Sequence, residues 1–416
     1  MHERPASTTT TTKTRENVGC GFLLGFVILA VSVVLLFANE GRSVREHAGL
    51  QEALAQVVEF DDTKNVVSKL VHLTGRLTTV NDHERPLVVD AEFGVATTGI
   101  RLHRIVEMLQ WEEERHDHTY TEDGQEKTDT TYSYKKSWST DAIDSDRFHD
   151  ASYVNPSTWT YTSKTTTAPS VVLRGYSVPN ELLDMISTRN EVALDTASLE
   201  QMASIMELAL HVEQRVDSIP ALQTMEIRHN QFFSKPTGNK VKARDRATAT
   251  VGDMRIKFQV TPANVVSVLA MPTRGATLHP FTTSSGATIA LLEEGIVSAA
   301  DMIAHAKTLV SLYTWGLRFV GLVLAVLGYY VLLQPVVDLA HLFLHVPLAG
   351  SFAVAVVSWS VDVMSGLLGI STALVVMAFA WVWYRPLVAL GLVFVAMTPY
   401  FAMPKPKRAN TKLAVA

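Results

Sequence analysis

Four stretches of this chain contain no charged residue and are long enough to cross a membrane: residues 18–39, 319–337, 363–384 and 386–404. About 20 helical residues span a hydrocarbon core about 30 Å thick, so each stretch predicts one transmembrane helix. The first stretch is longer than the apolar core of a secretory signal, which has about 7–15 residues, and it ends in a poor cleavage site. We therefore expect it to remain as a membrane anchor.

Charge divides the chain at the same places. The net charge is −5, but both tails are positive, and the last one carries Lys405, Lys407, Arg408 and Lys412. Positively charged segments beside membrane helices stay on the cytoplasmic side. The sequence thus predicts that both termini face the cytoplasm or nucleoplasm, which requires an even number of spans.

The polar block between the first two spans, residues 40–314, then lies on the far side of the membrane, in a lumen or a periplasm. The block is acidic, so it lacks the basic surface that nucleic acids require. The only cysteine, Cys20, belongs to the first apolar stretch. The block is therefore expected to fold without disulfides.

Aromatic residues mark one boundary of the predicted membrane region. Tyr313 and Trp315 precede the second span, and Trp381, Trp383 and Tyr384 close the third. Tyrosine and tryptophan side chains favour the membrane–water interface. With four spans, both clusters fall at the same boundary, on the side of the polar block.

Within the polar block, strand-like pieces surround a helical middle section. Residues 68–80, 95–111 and 128–140 have the composition and alternation of strands. Residues 181–217 have mostly helical spacing. Near the end of the block, Ser298 and Asp301 resemble a helix-capping pair that opens a helix running into the second span.

The predicted fold class is a multi-pass α-helical membrane protein with four spans and a large α+β lumenal domain between spans 1 and 2. Its segments are a disordered Thr-rich tail (1–17), transmembrane helix 1 (18–39), the lumenal α+β domain (40–314), transmembrane helix 2 (315–337), a cytoplasmic-side loop with an interfacial apolar segment (338–361), transmembrane helix 3 (362–384), transmembrane helix 4 (386–404) and a basic tail (405–416).

Residues 111–124, WEEERHDHTYTEDG, concentrate acids and histidines near the end of a predicted hairpin. Glu112, Glu114 and His116 share one face of a strand, where successive side chains are about 6–7 Å apart. A zinc ion instead needs three or four ligands within about 2.3 Å. Charged strands also resist edge-to-edge pairing. We interpret the stretch as a solvated hairpin, with a metal site as the alternative.

Two further groups have both a structural and a functional interpretation. His341 and His345 are four residues apart, as metal ligands on a helix can be, but no third ligand accompanies them. Tyr132, Tyr134 and Trp138 share one strand face, which either packs in the core or is exposed for self-association or a membrane-bound partner.

Motifs of known catalytic and nucleotide-binding sites do not occur in the sequence. It has no nucleophile elbow, no Cys/His pair and no Walker or dinucleotide-binding glycine pattern. We therefore predict no catalytic, cofactor-binding or metal-binding residue and no cofactor.

Seven motifs carry a family resemblance, and they occur in this order: RLHRIVEMLQWEEE, YTEDGQEKTDTTYSYKKSW, NPS, VGDMRIKFQV, PFTTSSG, YTWGLRFVG and WYRPLVAL. From about residue 40 to the fourth span, the chain resembles the transmembrane protein 43 (LUMA) family. The resemblance implies a four-span protein of the inner nuclear membrane and endoplasmic reticulum with a large lumenal domain. It also implies self-association and partners among lamins and lamina-associated proteins.

The predicted function is a non-enzymatic membrane scaffold that organises protein complexes and maintains nuclear-envelope structure, in contact with membrane lipid. The alternative is a transporter or channel-like module that uses Asp362, Arg318 and the glycines of SGLLGISTA as a polar path. A charge inside a membrane costs about 2.5–3.5 kcal/mol, so Asp362 is either interfacial or functional. A third interpretation is a lumenal metal-dependent enzyme built on the acidic hairpin.

Overall fold

The computed structural model describes residues 8–12, 18–61, 67–79, 87–122, 125–210, 219–235, 249–341, 350–387 and 390. The chain divides into two compact units. The first, which is rich in strands, comprises Met1–Arg15, Gln56–Phe281 and Ile289–Met302. The second, which holds the long apolar helices, comprises Glu16–Ala55, Thr282–Thr288 and Ile303–Ala416.

Three of the described helices are long and apolar enough to cross a membrane. They are α1 (Val18–Gln56), α5 (Ala299–His341) and α6 (Gly350–Tyr384), numbered in chain order. They contain the first three predicted spans. The fourth predicted span, 386–404, lies almost entirely outside the described residues.

All three helices continue past the spans predicted from the sequence. At the start of α5, Ser298 Oγ accepts a hydrogen bond from Asp301 N (3.2 Å) and donates one to Asp301 Oδ2 (2.7 Å). The predicted cap is thereby confirmed, and α5 runs unbroken into the second span. Residues 350–361, which we predicted as an interfacial apolar segment, form the first turns of α6, the helix that contains the third predicted span.

Glycines set how closely the apolar helices approach one another. A Cβ at Gly321 of α5 would lie 2.5 Å from Leu36 Cδ2 of α1. A Cβ at Gly369 of α6 would lie 2.8 Å from the Cα of Val326 in α5. Neither gap admits a methyl group. Close packing of this kind drives helix association in bilayers, because lipid tails are as apolar as leucine side chains.

Gly369→Leu should destabilise the helix bundle, because the added side chain meets the α5 backbone. Overpacking a core costs about 1–3 kcal/mol. The control is Gly366→Leu, since a Cβ at Gly366 has no neighbour within 4 Å. Thermal unfolding of the full-length protein in detergent measures the difference. Equal melting temperatures for the two variants would contradict this account of the packing.

The strand-rich unit contains one eight-stranded antiparallel sheet. Its strands are β1 (Thr8–Thr12), β7 (Arg101–Glu122), β8 (Gln125–Ser139), β9 (Lys164–Thr167), β12 (Asn190–Glu191), β13 (Met225–Arg228), β14 (Gln231–Ser234) and β15 (Met254–Thr261). Their order is β1-β8-β7-β15-β14-β13, with β9 also paired to β7 and β12 to β15. The β7–β8 hairpin is therefore the long arm of this sheet.

A second sheet has five strands, ordered β17-β16-β3-β2 with β20 also on β16. Smaller pairings join β11-β10-β4, β5-β6 and β18-β19. The bounds are β2 (Val58–Glu59), β3 (Val71–Arg76), β4 (Thr78–Thr79), β5 (Leu87–Asp90), β6 (Val95–Thr98), β10 (Val171–Leu173), β11 (Tyr176–Ser177), β16 (Val265–Pro272), β17 (Leu278–His279), β18 (Phe281–Thr282), β19 (Thr288–Ile289) and β20 (Leu291–Glu294).

Apolar side chains from the two larger sheets share one core. Phe93 lies at its centre, with ring centroids 5.1 Å from Phe232 and 5.5 Å from Phe258, both edge-on. Such aromatic pairs contribute about 0.5–1.5 kcal/mol beyond the area they bury. The predicted α+β character of this region is confirmed.

The middle section is less helical than predicted for residues 181–217. It forms the short helices α2 (Asn180–Leu183) and α4 (Ala221–Thr224) and one longer helix, α3 (Thr196–Leu210); residues 211–217 lie outside the described part. Between α2 and α3, Asn190 and Glu191 pair with β15. Sheet pairing there overrides a weak helical preference.

Residues Thr8–Thr12, inside the tail predicted to be disordered, form β1 opposite Lys127–Thr131 of β8. Threonine is β-branched and favours strands. However, α1 lies between β1 and the rest of its sheet in the sequence. If α1 crosses a bilayer, the two paired segments lie on opposite sides. The β1–β8 pairing and that crossing therefore exclude each other within one inserted chain.

A buried histidine makes the strand-rich unit sensitive to acid. His103 on β7 is 8% exposed and is hydrogen-bonded to the hydroxyls of Thr165 and Thr261. Burial, with Arg189 and Arg101 nearby, lowers the pKa of His103 below its usual 6.5. The unfolded chain thus binds the proton first as the pH falls.

The resulting prediction is a loss of stability below about pH 6.5, by at most about 1.4 kcal/mol per pH unit, with the full contribution present above that pH. His103→Gln should flatten this slope between pH 7 and pH 5. The control is His116→Gln, on the exposed part of β7. Denaturant unfolding of each variant across that range measures the slope. If His103→Gln keeps the wild-type slope, the assignment to His103 is wrong.

Candidate functional site

A largely buried ion pair and one tryptophan hydrogen bond join the three apolar helices. Glu40 on α1 is 2% exposed. Arg318 on α5 donates to both of its carboxylate oxygens, from Nε to Oε1 (2.6 Å) and from Nη2 to Oε2 (2.9 Å). Trp381 on α6 donates from Nε1 to Oε2 (2.9 Å). We call Glu40, Arg318 and Trp381 the helix lock.

A second layer of polar contacts lies beside the helix lock on α1 and α5. Asn39 Nδ2 donates to the Thr314 carbonyl (3.0 Å), and Arg42 Nη2 donates to Asn39 Oδ1 (3.1 Å) and Thr314 Oγ1 (3.2 Å). The Arg42 guanidinium also stacks 4.5 Å from the Tyr313 ring centroid. These contacts hold α1 and α5 together at the same level as the helix lock.

The helix lock coincides with the ends of the uncharged runs. Glu40 directly follows the first run, and Arg318 directly precedes the second. Trp381 belongs to the aromatic cluster predicted to mark the boundary, and Phe37 packs against Tyr384 with centroids 5.2 Å apart. The three helices therefore reach the predicted membrane interface at one level, as the aromatic residues indicated.

The chemistry of the helix lock is structural. Both carboxylate oxygens of Glu40 already accept hydrogen bonds, and Arg318 also lies 4.6 Å from the Trp315 ring centroid. Removing one partner of a buried pair leaves the other charge unsatisfied, at a cost of about 3–5 kcal/mol.

The acidic hairpin is exposed, and its charges are paired locally. Lys135 lies 3.3 Å from Glu114 and 3.8 Å from Glu112 across the β7–β8 ladder. Glu113 instead accepts a hydrogen bond from the Tyr134 hydroxyl (2.5 Å); burial and this bond raise the pKa of Tyr134 to about 12. Within the described residues, no three His, Cys, Asp or Glu side chains converge as a metal site would require.

The aromatic face of β8 is half-buried by a neighbouring loop. Tyr134 stacks on Tyr153 with centroids 3.9 Å apart, and Tyr132 stacks on His149 at 4.3 Å. Trp138 lies under Arg255, 4.6 Å from the guanidinium. The structure thus supports the packing interpretation of this face.

The NPS motif closes one edge of the hairpin. The Asn155 side chain accepts a hydrogen bond from Trp111 N (2.7 Å) and donates one to Trp111 O (2.9 Å), as a neighbouring strand would. The motif was visible in the sequence, but this contact was not.

The residues of the alternative transport path do not come together. Arg318 is held in the helix lock. Asp362 is exposed on α6, 19 residues before Trp381, which separates the two by about 28 Å along a helix. The SGLLGISTA segment is a packing surface, with Ser365, Gly369 and Ala373 facing the bundle.

The histidine pair is not tested by these contacts, since His345 and the side chain of His341 are outside the described part of the chain.

The sequence analysis did not predict the Glu40–Arg318 pair. The available signal was that each residue is the first charge beyond an apolar run.

These features define a class: an integral membrane protein in which a polar lock joins three apolar helices, with a large α+β domain encoded in the sequence between the first two of them. Comparison with known proteins narrows the class. The family described as Transmembrane protein 43 matches residues 108–386. The chain belongs to this family.

Individual relatives agree with that assignment. Transmembrane protein 43 of Homo sapiens is 31% identical over 399 residues, covering 91% of this chain and 88% of its own length. The Mus musculus protein of the same name matches equally. The Transmembrane protein 43 homolog of Drosophila melanogaster is 26% identical over 390 residues, covering 91% of this chain and 92% of its own. No solved structure matches.

Glu40→Gln should destabilise the full-length protein by about 3–5 kcal/mol, because it leaves the largely buried Arg318, whose side chain is 16% exposed, without a counter-charge. The double variant Glu40→Leu with Arg318→Leu should recover most of this loss, since an apolar pair of similar volume removes both charges. Unfolding in detergent micelles measures both variants.

The control for the helix lock is Glu46→Gln. Its partner Arg42 lies at 2.6 Å, but the two side chains are 34% and 26% exposed. Exposed pairs contribute about 0–1 kcal/mol. A loss at Glu46 as large as that at Glu40 would contradict the special role of the helix lock.

Proposed function

We propose that this protein is a non-enzymatic membrane scaffold that organises protein complexes at the inner nuclear membrane and endoplasmic reticulum. The observation that carries the proposal is the saturated helix lock. It holds three membrane helices against one another through charged groups that are paired with each other. The family resemblance supplies the nuclear-envelope location and the lamina-associated class of partner.

The proposed orientation places both termini in the cytoplasm or nucleoplasm and residues 40–314 in the lumen. The positive tails support it through the preference of lysine and arginine for the cytoplasmic side. The acidic composition of the domain supports a surface that stays in solution rather than one that binds anionic lipid or nucleic acid.

Crosslinking in native nuclear envelopes tests the scaffold role. The wild-type protein and Glu46→Gln should appear in discrete complexes with other membrane proteins. Glu40→Gln should lose these complexes, because the helices that present the binding surfaces no longer hold one arrangement. A wild-type protein that remains a monomer and crosslinks to nothing would refute the proposal.

A transporter is the second candidate, since Asp362 is a charged residue on a membrane helix. Ion flux in reconstituted vesicles distinguishes the two functions. The scaffold proposal predicts no flux above that of empty vesicles. Flux that Asp362→Ala abolishes would favour the transporter instead.

A further inference from the structure

Three segments of the strand-rich unit border one cleft: the residues that follow β2, the β10–β11 turn and the β16–β17 turn. The backbones of the last two segments are joined, because Ser177 N donates to the Ala276 carbonyl (2.7 Å). The cleft has a volume of about 400 Å³. Small-molecule sites in proteins measure about 300–1,000 Å³, so the cleft is large enough for a small organic ligand.

Two exposed arginines, Arg174 and Arg274, line this cleft, which we call the arginine cleft. Arg174 donates from Nε to the Thr74 carbonyl (3.1 Å), which holds the side chain in place. Within the part of the chain that the structure describes, neither guanidinium pairs with a carboxylate. Asp61 is the one acidic residue of the lining, so the charge of the lining is positive. The cleft therefore favours an anionic ligand.

The β10–β11 turn holds Arg174 in a strained conformation. Leu173 pairs with Tyr176, so Arg174 and Gly175 form a two-residue turn, with φ of 51° and 85°. Asparagine or glycine is favoured at the first position of such a turn, because a larger L residue is strained at positive φ. Ala276, which also lines the cleft, has φ of 50°. Strained residues cluster at ligand sites. This turn thus contains an arginine where folding alone favours asparagine.

Aromatic side chains supply the apolar part of the arginine cleft. Phe60 and Tyr176 are both half-buried, and their rings meet edge-on with centroids 6.0 Å apart. Aromatic rings offer a large apolar contact area to an organic group. The cleft therefore combines a cationic part with an apolar part, as sites for small organic anions do.

We propose that the arginine cleft binds a small phosphate ester. The phosphate group is bound by Arg174 and Arg274, and the organic group lies against Phe60 and Tyr176. Phosphate suits the two arginines better than a carboxylate does, because its additional oxygen and second negative charge allow both guanidiniums to donate paired hydrogen bonds. This site is independent of the scaffold role and of the orientation in the membrane.

Isothermal titration calorimetry of the full-length protein in uncharged detergent tests the site. Phenyl phosphate should bind saturably with one site per chain, because it supplies both a phosphate and a ring. Inorganic phosphate should bind more weakly, since it lacks the ring, and benzoate should bind more weakly because it lacks the phosphate. Absence of saturable binding of phenyl phosphate at millimolar concentration would overturn the proposal. Benzoate that binds as tightly as phenyl phosphate would also overturn it.

Substitution of the two arginines locates the site. Arg274→Gln and Arg174→Asn should each weaken the binding of phenyl phosphate at least about tenfold, because each removes charge-assisted hydrogen bonds. The matched control is Arg147→Gln, whose side chain is 88% exposed and lies 3.1 Å from Asp144. It should bind phenyl phosphate like the wild type. An equal loss in Arg147→Gln would show binding by general positive charge and would overturn the site.

The melting temperature separates a binding role of Arg174 from a structural one. Asparagine tolerates the left-handed conformation, so Arg174→Asn should melt at the same temperature as the wild type or higher while it binds less phenyl phosphate. If this variant melts at a lower temperature, Arg274→Gln decides, because within the described residues the Arg274 guanidinium has no structural partner. Full binding by Arg274→Gln would overturn the proposal.

The phosphate ester can be a soluble molecule or the headgroup of a lipid, and nanodiscs distinguish these sources. The full-length protein is reconstituted in phosphatidylcholine with or without phosphatidic acid, and phenyl phosphate is titrated into both. A soluble ligand predicts equal binding of phenyl phosphate in the two preparations. A lipid headgroup predicts that phosphatidic acid lowers this binding. Either result supports the arginine cleft if Arg274→Gln abolishes the binding, and binding that Arg274→Gln leaves intact in both preparations overturns it.

Discussion

The ion pair between Glu40 and Arg318 is the contact on which the arrangement of the apolar helices depends. Neither charge is tolerated alone in a buried site at the membrane boundary, so each requires the other. Trp381 on α6 donates a hydrogen bond to the same carboxylate and so connects the third helix. Because the pair lies at the end of two uncharged runs, it also fixes the level at which the helices leave the membrane.

Glycine packing and the helix lock act on the same helices at different depths. Within the apolar part, Gly321 makes room for the Leu36 side chain and Gly369 lets α6 approach the α5 backbone, where dispersion is the available attraction. The helix lock also constrains the relative orientation of α1 and α5, since a bidentate arginine–carboxylate pair accepts only a narrow range of orientations. Together they hold the three apolar helices against one another at two levels.

The elements that depend on local chemistry were predictable from the sequence. The uncharged runs gave three helices, Ser298 and Asp301 gave the start of α5, and the strand-like pieces gave β3, β7 and β8. The contacts that depend on distant residues were not predictable. Glu40 and Arg318 are 278 residues apart in sequence, and nothing local distinguishes them from other boundary charges. Likewise, β12 interrupts a helical pattern because β15 is available to pair with it.

Contact between the helix-lock side chains inside a bilayer tests the central claim most directly. Solid-state NMR of the full-length protein in lipid, with labelled arginine and tryptophan nitrogens and a labelled glutamate carboxyl, reports on it. The account predicts correlations from the Arg318 guanidinium and the Trp381 indole nitrogen to the Glu40 carboxyl carbon. Their absence in a protein whose other helix contacts are intact would contradict it.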